Sequence, residues 1–322
     1  MKKALVVGIN NYPQCPLYGC ENDANAVENI LSRNADSSAN FSVKKELNVP
    51  TKGELKRHIV DCFSGNNEIA LFYFSGHGYI DAIGGYIVTP DYSQHDMGVS
   101  MQEILTIVND SRTKNKIIIL DCCHAGFLGS ISTTGQQASI IGDGVTLLTA
   151  SKSDEPAMEV HGHGVFTSLL LDALNGGAAD VTGFITPGGI YAYIDKALGP
   201  WEQRPVFKTN VTRFSPLRRA IPQIREDVLR RLVNYFATPD AELPLNPSFE
   251  PTNAPAVEHK VVKPYADAEN TKIFKELQML EGVGLVIPCG EEHMYFAAMN
   301  SKSCRLTSAG QHYWRLVHEN II

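Results

Sequence analysis

The chain has little of what would mark a secreted, membrane-bound or nucleic-acid-binding protein. Among its 322 residues Lys and Arg number 28 against 35 Asp and Glu, a formal charge of −7. That balance argues against a binder of phosphate backbones and leaves cationic substrates open. The cysteines, at positions 15, 20, 62, 122, 123, 289 and 304, are odd in number and show no disulfide framework, so a reducing compartment is expected. The apolar stretch Ala4 to Ile9 is too short for the core of a signal peptide, and no later run approaches a membrane span. A cytoplasmic protein without membrane or nucleic-acid partners is expected. There is no internal repeat, and the only compositionally biased stretch is a proline-rich one late in the chain.

What is present alternates. Lys3 to Ile9, Phe41 to Leu47, Glu68 to Ser75, Lys116 to Asp121, Val145 to Ala150 and Pro205 to Lys208 read as strands, several apolar on both faces. Between them Asp23 to Ser32, Lys52 to Phe63, Ser100 to Asn109, Val165 to Leu174 and Pro187 to Leu198 read as helices. Such alternation predicts an α/β fold with a mostly parallel six-stranded sheet flanked by helices, whose reactive groups gather at the carboxyl ends of strands. After about residue 215 the character changes. Pro222 to Phe236 reads as one amphipathic helix, and residues 239 to 264, with six prolines, read as an extended connector. A helix from Glu269 to Glu281, short strands at Gly284 to Pro288 and Met294 to Met299, and a last helix from Ser308 to Asn320 follow in an order that looks like a small winged-helix module. The expected domains are therefore 1–215, a linking region 216–265 and a terminal module 266–322.

Two strand ends carry chemistry. One apolar run closes with Phe74-Ser75-Gly76-His77-Gly78 and a later one with Leu120-Asp121-Cys122-Cys123-His124-Ala125-Gly126. The 46 residues from His77 to Cys123 suffice to leave one strand, cross through a helix and return to a parallel neighbour. A thiol has a pKa of about 8.5 and needs a base or positive charge beside it to act as a nucleophile. His77 can be that base and later protonate a leaving amine. The backbone N–H groups of Gly78 and Cys123 are candidates for holding the oxyanion, a contact whose loss typically costs roughly a hundredfold in rate.

These two segments, in this order on successive strands, resemble the signature segments of the caspase clan of cysteine peptidases, and within it those of metacaspases and bacterial orthocaspases, over roughly residues 2 to 215. The resemblance implies a caspase-like sandwich with Cys123 as nucleophile, His77 as its partner and Cys122 at a variable position. It also implies cleavage of protein substrates after Arg, with Lys second, through Asp121 and an acid in an early loop. Here Tyr18-Gly19-Cys20-Glu21-Asn22-Asp23-Ala24 resembles that loop, with Asp23 as the matching acid. Ser75 would add a hydrogen bond, and Cys20 is a further candidate for the substrate pocket. Two carboxylates suit a guanidinium, which offers five donors and a permanent charge. A monomer, and a role as a triggered protease in cell death or antiviral defence, follow from the resemblance alone.

Competing readings accompany each residue. Asp23 could simply cap the helix that starts near it, and Cys20 could be a small buried apolar residue. Cys122, Cys123 and His124 cannot chelate a metal together, because adjacent strand residues point apart, so no metal is assigned to them. His161 and His163, in a glycine-bearing loop, are expected to face solvent. Calcium, which activates several metacaspases, stays an unassigned option: Asp81, Asp91, Asp96, Asp143 and Asp154 offer oxygen ligands without ordered spacing. Residues 127 to 151 hold no Lys or Arg, so self-processing is expected elsewhere, at Lys152, Arg218-Arg219 or Arg230-Arg231. From 268 to 322 five basic residues meet six acidic ones, a poor match to a DNA reader and a better one to a protein partner or to control of the catalytic domain. The alternative function is an inert caspase-like scaffold that recruits partners through the terminal module. An acyltransferase using the same dyad fits the acidic residues less well.

Overall fold

A computed structural model describes residues 1–81, 84–122, 131–133, 136–138, 141–150, 159–160, 163–199 and 205–322. It divides into two compact units, Met1–Ile221 and Pro222–Ile322. The first is built on a six-stranded sheet whose strands are β1 (Lys2–Gly8), β2 (Ser42–Leu47), β3 (Ile69–Ser75), β7 (Asn115–Asp121), β10 (Val145–Thr149) and β14 (Val206–Asn210). Their order is β14-β10-β7-β3-β1-β2. All neighbours run parallel except β14, which lies antiparallel on β10.

Strand alternation sorts the core into two layers. Leu5, Val7, Phe72, Phe74, Ile118 and Leu120 face one side, where α2 (Lys52–Phe63) and α3 (Met101–Asp110) cover them with Leu55, Ile59, Ile104 and Leu105. Ala4, Val6, Leu71, Tyr73, Ile117 and Ile119 face the other. There α1 (Cys20–Ser32), α4 (Val165–Asp172) and α5 (Pro187–Leu198) supply Val27, Leu31, Phe166, Leu170, Ile190 and Ile194. The apolar-on-both-faces strands of the sequence are thus buried between two helical layers, as a mostly parallel sheet requires. Val165 to Leu174 is helical, and α4 passes into a single π turn over Ala173–Gly177.

Short antiparallel pieces, absent from the strand pattern of the sequence, decorate this frame. Directly after His77, β4 (Gly78–Ile80), β5 (Gly85–Ser93) and β6 (Asp96–Ser100) form a three-stranded sheet. β8 (Ile131–Thr133) pairs with β9 (Gln136–Ala138), β11 (Glu159–Val160) with β12 (His163–Gly164), and β13 (Phe184–Ile185) with β15 (Arg218–Arg219). Segments of two or three residues are below the length at which a period of two can be read.

The second unit differs from expectation in three places. Residues 222–236 are not one helix but two short ones, α6 (Glu226–Arg230) and α7 (Leu232–Tyr235), broken at Arg231. The expected apolar stripe is still buried through Ile224, Val228, Leu229, Leu232 and Phe236. The proline-rich stretch, read as an extended connector, is instead folded into this unit. Its β16 (Glu242–Pro244) joins β18 (Ser303–Leu306) and β17 (Val286–Cys289) in one sheet. Asn253, fully buried, donates to the carbonyls of Pro247 and Pro264 at 2.7 Å each, which replaces the backbone bonds that prolines cannot make. Met294–Met299, read as a strand, is a helix, α9, between α8 (Ala268–Gly282) and α10 (Ser308–His318). Burial of Met294, Ala297 and Ala298 gives it a helical face rather than an alternating one. Trp314 belongs to this unit's core and donates through its indole N–H to the carbonyl of Phe236 at 2.7 Å. Among the described residues no helix is long and apolar enough to cross a membrane.

Candidate active site

The parallel register sets Gly8, Ser75 and Asp121 side by side at the carboxyl ends of β1, β3 and β7. Gly8 lets α1 start against the sheet, for a Cβ there would lie 2.2 Å from the carbonyl oxygen of Cys20. That close approach carries Asp23, in the first turn of α1, over the end of β3. The N-cap of α1 is Gly19 and not Asp23, so the capping role weighed for this carboxylate is not the one it plays. Asp23 is 2% exposed. One of its oxygens accepts from Ser75 Oγ at 3.0 Å, and the other lies 2.7 Å from Nδ1 of His163.

His163, expected to face solvent, is therefore only partly exposed. It is the first residue of β12, its side chain is 30% exposed, and it pairs with an acid 140 positions earlier. No local pattern could have announced that pairing, because the contact is made only when α1 and the segment before α4 pack on the same face of the sheet.

Asp121 ends β7 on that same face. Its carboxylate accepts from Thr167 Oγ1 at 2.6 Å, and Thr167 Oγ1 lies 2.6 Å from the buried hydroxyl of Tyr73. Loss of water around the carboxyl pushes Asp121 up to about 6, with the bonds from Thr167 opposing and the charge of Asp23 adding to the rise. Burial also raises Asp23, against the pull of His163, Ser75 and the N–H of Gly164. The positive end of α1 favours an anion in its first turn by only about 1 kcal/mol, so desolvation decides the direction at both carboxyls. Among the described residues neither has a Lys or Arg partner.

His77 follows β3 by two residues. Its N–H donates to Tyr12 Oη at 3.0 Å, and the ring of Tyr12 meets the imidazole edge-on at 4.6 Å. Tyr12 Oη in turn donates to the carbonyl of Val88 at 3.3 Å, and burial holds this phenol in its protonated form. Gly76 makes the arrangement possible, since a Cβ would lie 2.6 Å from Tyr12 Oη. Nε2 of His77 lies 2.7 Å from the carbonyl oxygen of Cys15. A carbonyl can only accept, so Nε2 carries the proton and Nδ1 of the neutral ring keeps a lone pair. The N–H of Val88 donates to the carbonyl of His77 at 2.9 Å, which makes 77 and 88 the hydrogen-bonded pair of the β4–β5 ladder. Gly78, opposite Ile87, then turns its N–H away from β5.

The structure thus gathers Asp23, Ser75 and Asp121 at one end of the sheet, with His77 two residues beyond Ser75. Cys20 is buried at the start of α1 and donates its N–H to Asn10 Oδ1 at 3.0 Å. Cys122 is buried in the opposite core layer with Phe74 and Leu120. Cys123, His124, Lys152, Asp154 and His161 lie outside the described residues. Tyr12, Cys15, Tyr73, His163 and Thr167 are the site residues that sequence reasoning missed. Tyr73 and Thr167 sit in apolar segments where a hydroxyl gives no periodic signal.

Of the loop carboxylates weighed for calcium, three have local partners among the described residues. Asp96 pairs with Lys52 at 2.9 Å, Asp91 takes the N–H of Lys52 at 3.1 Å, and Asp81 takes the N–H of Gly84 at 2.9 Å. Among the described residues no three His, Cys, Asp or Glu side chains group as metal ligands.

The α/β sheet thus brings a histidine and two carboxylates to its carboxyl edge. The sequence model of the caspase domain matches residues 1–210. The chain belongs to that family, a family of cysteine peptidases. Among solved structures it is similar to protein GSU0716 from Geobacter sulfurreducens, with 16% identity over 69% of this chain and 98% of that one and a TM-score of 0.49, a likeness on which nothing below rests. No curated protein matches the chain.

Proposed function

We propose that this protein is a cysteine endopeptidase of metacaspase type that cleaves after Arg, and second after Lys, using Cys123 and His77. The observation that carries the reading is the pair of buried carboxyls, Asp23 and Asp121, set about Ser75 beside the strand end that leads to His77. A basic side chain entering there finds opposite charge in a medium drier than water, where charge-assisted bonds gain strength. An acidic side chain would meet two like charges and, among the described residues, no Lys or Arg bonded to either carboxylate.

The chemistry follows from the ring orientation. With Nε2–H donated to Cys15, Nδ1 of His77 takes the proton of the Cys123 thiol, and the thiolate attacks the substrate carbonyl carbon. The N–H groups of Gly78 and Cys123 hold the oxyanion. The imidazolium then returns its proton to the leaving amine as the C–N bond breaks, leaving a thioester. Water, deprotonated by His77, attacks that thioester and releases the acid and the thiol. The terminal unit, with its near-balanced charge, serves in this reading as a protein-interaction or control module.

The test is turnover of fluorogenic peptides ending in Arg, Lys or Asp by the full chain and by Cys123→Ala and His77→Ala. The reading expects Arg turnover greatest, with losses of about a thousandfold or more in either variant. Preference for Asp, or Arg turnover that survives Cys123→Ala, would refute it.

A further inference from the structure

The segment 163–167 binds both acids of the pocket. The imidazole of His163 and the N–H of Gly164 go to Asp23, and Thr167 goes to Asp121. Of these groups only His163 can carry positive charge. It stands on the buried carboxylate with one edge toward solvent, the position in which an incoming guanidinium or ammonium would make its own ion pair. Ser75 already takes the other oxygen of Asp23, so the imidazole and an entering cation compete for one oxygen.

We propose that His163 is a built-in competitor for the acidic pocket: in the resting protein it holds the seat on Asp23 that a basic side chain takes, and binding displaces it. The inference rests on the pocket assignment made above. It makes His163 a specificity-determining residue, because a ligand without positive charge gains too little from Asp23 to dislodge the imidazole, whereas a permanent cation replaces one charge-assisted bond by another.

The competition depends on pH with a definite sign. Among the described residues the acid bonded to His163 is Asp23 from α1, whose charge also acts on Asp121 at the end of β7. A protonated ring grips Asp23 and makes the pocket harder to enter, whereas a neutral ring is displaced at lower cost, so acid favours the resting contact. Asp121, pushed up to about 6, loses its charge over the same acid range and weakens cation binding independently. Replacing His163 removes the first effect and leaves the second.

Two measurements on the full chain test this. In the first, the His163 imidazole is followed by NMR against pH, its signal assigned by its absence from His163→Gln. Benzamidine serves as the amidinium probe, and Asp23→Asn as the reference without the charge. The His163 imidazole signal is expected to differ between wild type and Asp23→Asn, and saturating benzamidine is expected to move the wild-type signal toward that of Asp23→Asn. In the second, Arg-peptide kinetics are compared for wild type and His163→Gln near pH 6 and pH 8. KM is expected to fall about fivefold in the variant at the lower pH and by less than twofold at the higher, with the change carried by KM. An imidazole that benzamidine leaves unmoved, or a KM that is unchanged or raised in His163→Gln at both pH values, would overturn the proposal. Displacement of His163 by benzamidine in a protein that turns over no peptide would uphold the competition and remove the peptidase reading.

Discussion

At the scale of single residues the site is expensive to keep charged. Asp121 titrates near 6 in the fold against an ordinary 3.8. The folded state therefore holds this proton more tightly than the unfolded one, and stability falls as pH rises from about 4 to about 6. Above that range the ionised carboxylate costs up to about 3 kcal/mol. Asp121→Asn keeps an oxygen to accept from Thr167 and removes the charge. It is expected to raise the thermal midpoint at pH 7 and leave it nearly unchanged at pH 4, while Arg-peptide turnover drops by about tenfold or more. Melting curves at the two pH values check the first part. A variant less stable than wild type at pH 7 would contradict the desolvation argument. This residue was legible in the sequence through its place two before Cys123. Its neighbour His163 was not, because 140 positions separate it from the acid it binds.

At the scale of elements, the turn from β3 into β4 positions His77. Tyr12, in the connection from β1 to α1, holds the main chain of His77, and Cys15 in the same connection holds its ring. Gly76 is where these segments touch. Gly76→Ala would push a methyl group against Tyr12 Oη at 2.6 Å and the ring of Phe74 at 2.7 Å, both inside a packed core. A loss of about 1–3 kcal/mol is expected from the overpacking, together with a fall in turnover of about tenfold or more, because the imidazole moves with its backbone. Tyr12→Phe removes two hydrogen bonds, from the N–H of His77 and to the carbonyl of Val88, and leaves the packing, so it should cost about 1–2 kcal/mol and move turnover less. Urea titration and peptide kinetics on both variants measure these effects, and equal losses in the two would deny Gly76 its steric role. The strands and helices that frame the turn could be read from their apolar periods. The β4–β5–β6 sheet could not, since Gly78–Ile80 is too short to show one.

At the scale of the whole molecule the apolar cores follow the division of the chain. Core residues from Ala4 to Ala220 pack in the two layers about the sheet, and those from Ile224 to Trp314 pack in a third cluster. A cut between 221 and 222 separates these clusters without opening any of them. Fragments 1–221 and 222–322, each with one of the chain's two tryptophans, are expected to fold alone and to unfold cooperatively, as calorimetry and tryptophan fluorescence would show. A second fragment that stays unfolded would show that its core is insufficient by itself. The boundary lies a few residues from the change in composition near 215. The proline-rich stretch was misjudged because composition reports the loss of backbone donors but not the side chains, such as Asn253, that replace them.

Local chemistry alone determined much of this protein. Strand and helix order follows from apolar spacing, the mostly parallel sheet from their alternation, and the two reactive segments from residues adjacent in the chain. Tertiary structure decided what those segments meet. The strand register sets Ser75 beside Asp121, the close approach at Gly8 brings Asp23 over them, and the packing of the segment before α4 adds His163. Periodicity describes which face of an element is buried, and carries no record of which polar groups from distant elements share that burial. The charge state of Asp23 and Asp121 belongs to the fold for the same reason: water is excluded by all of these elements together.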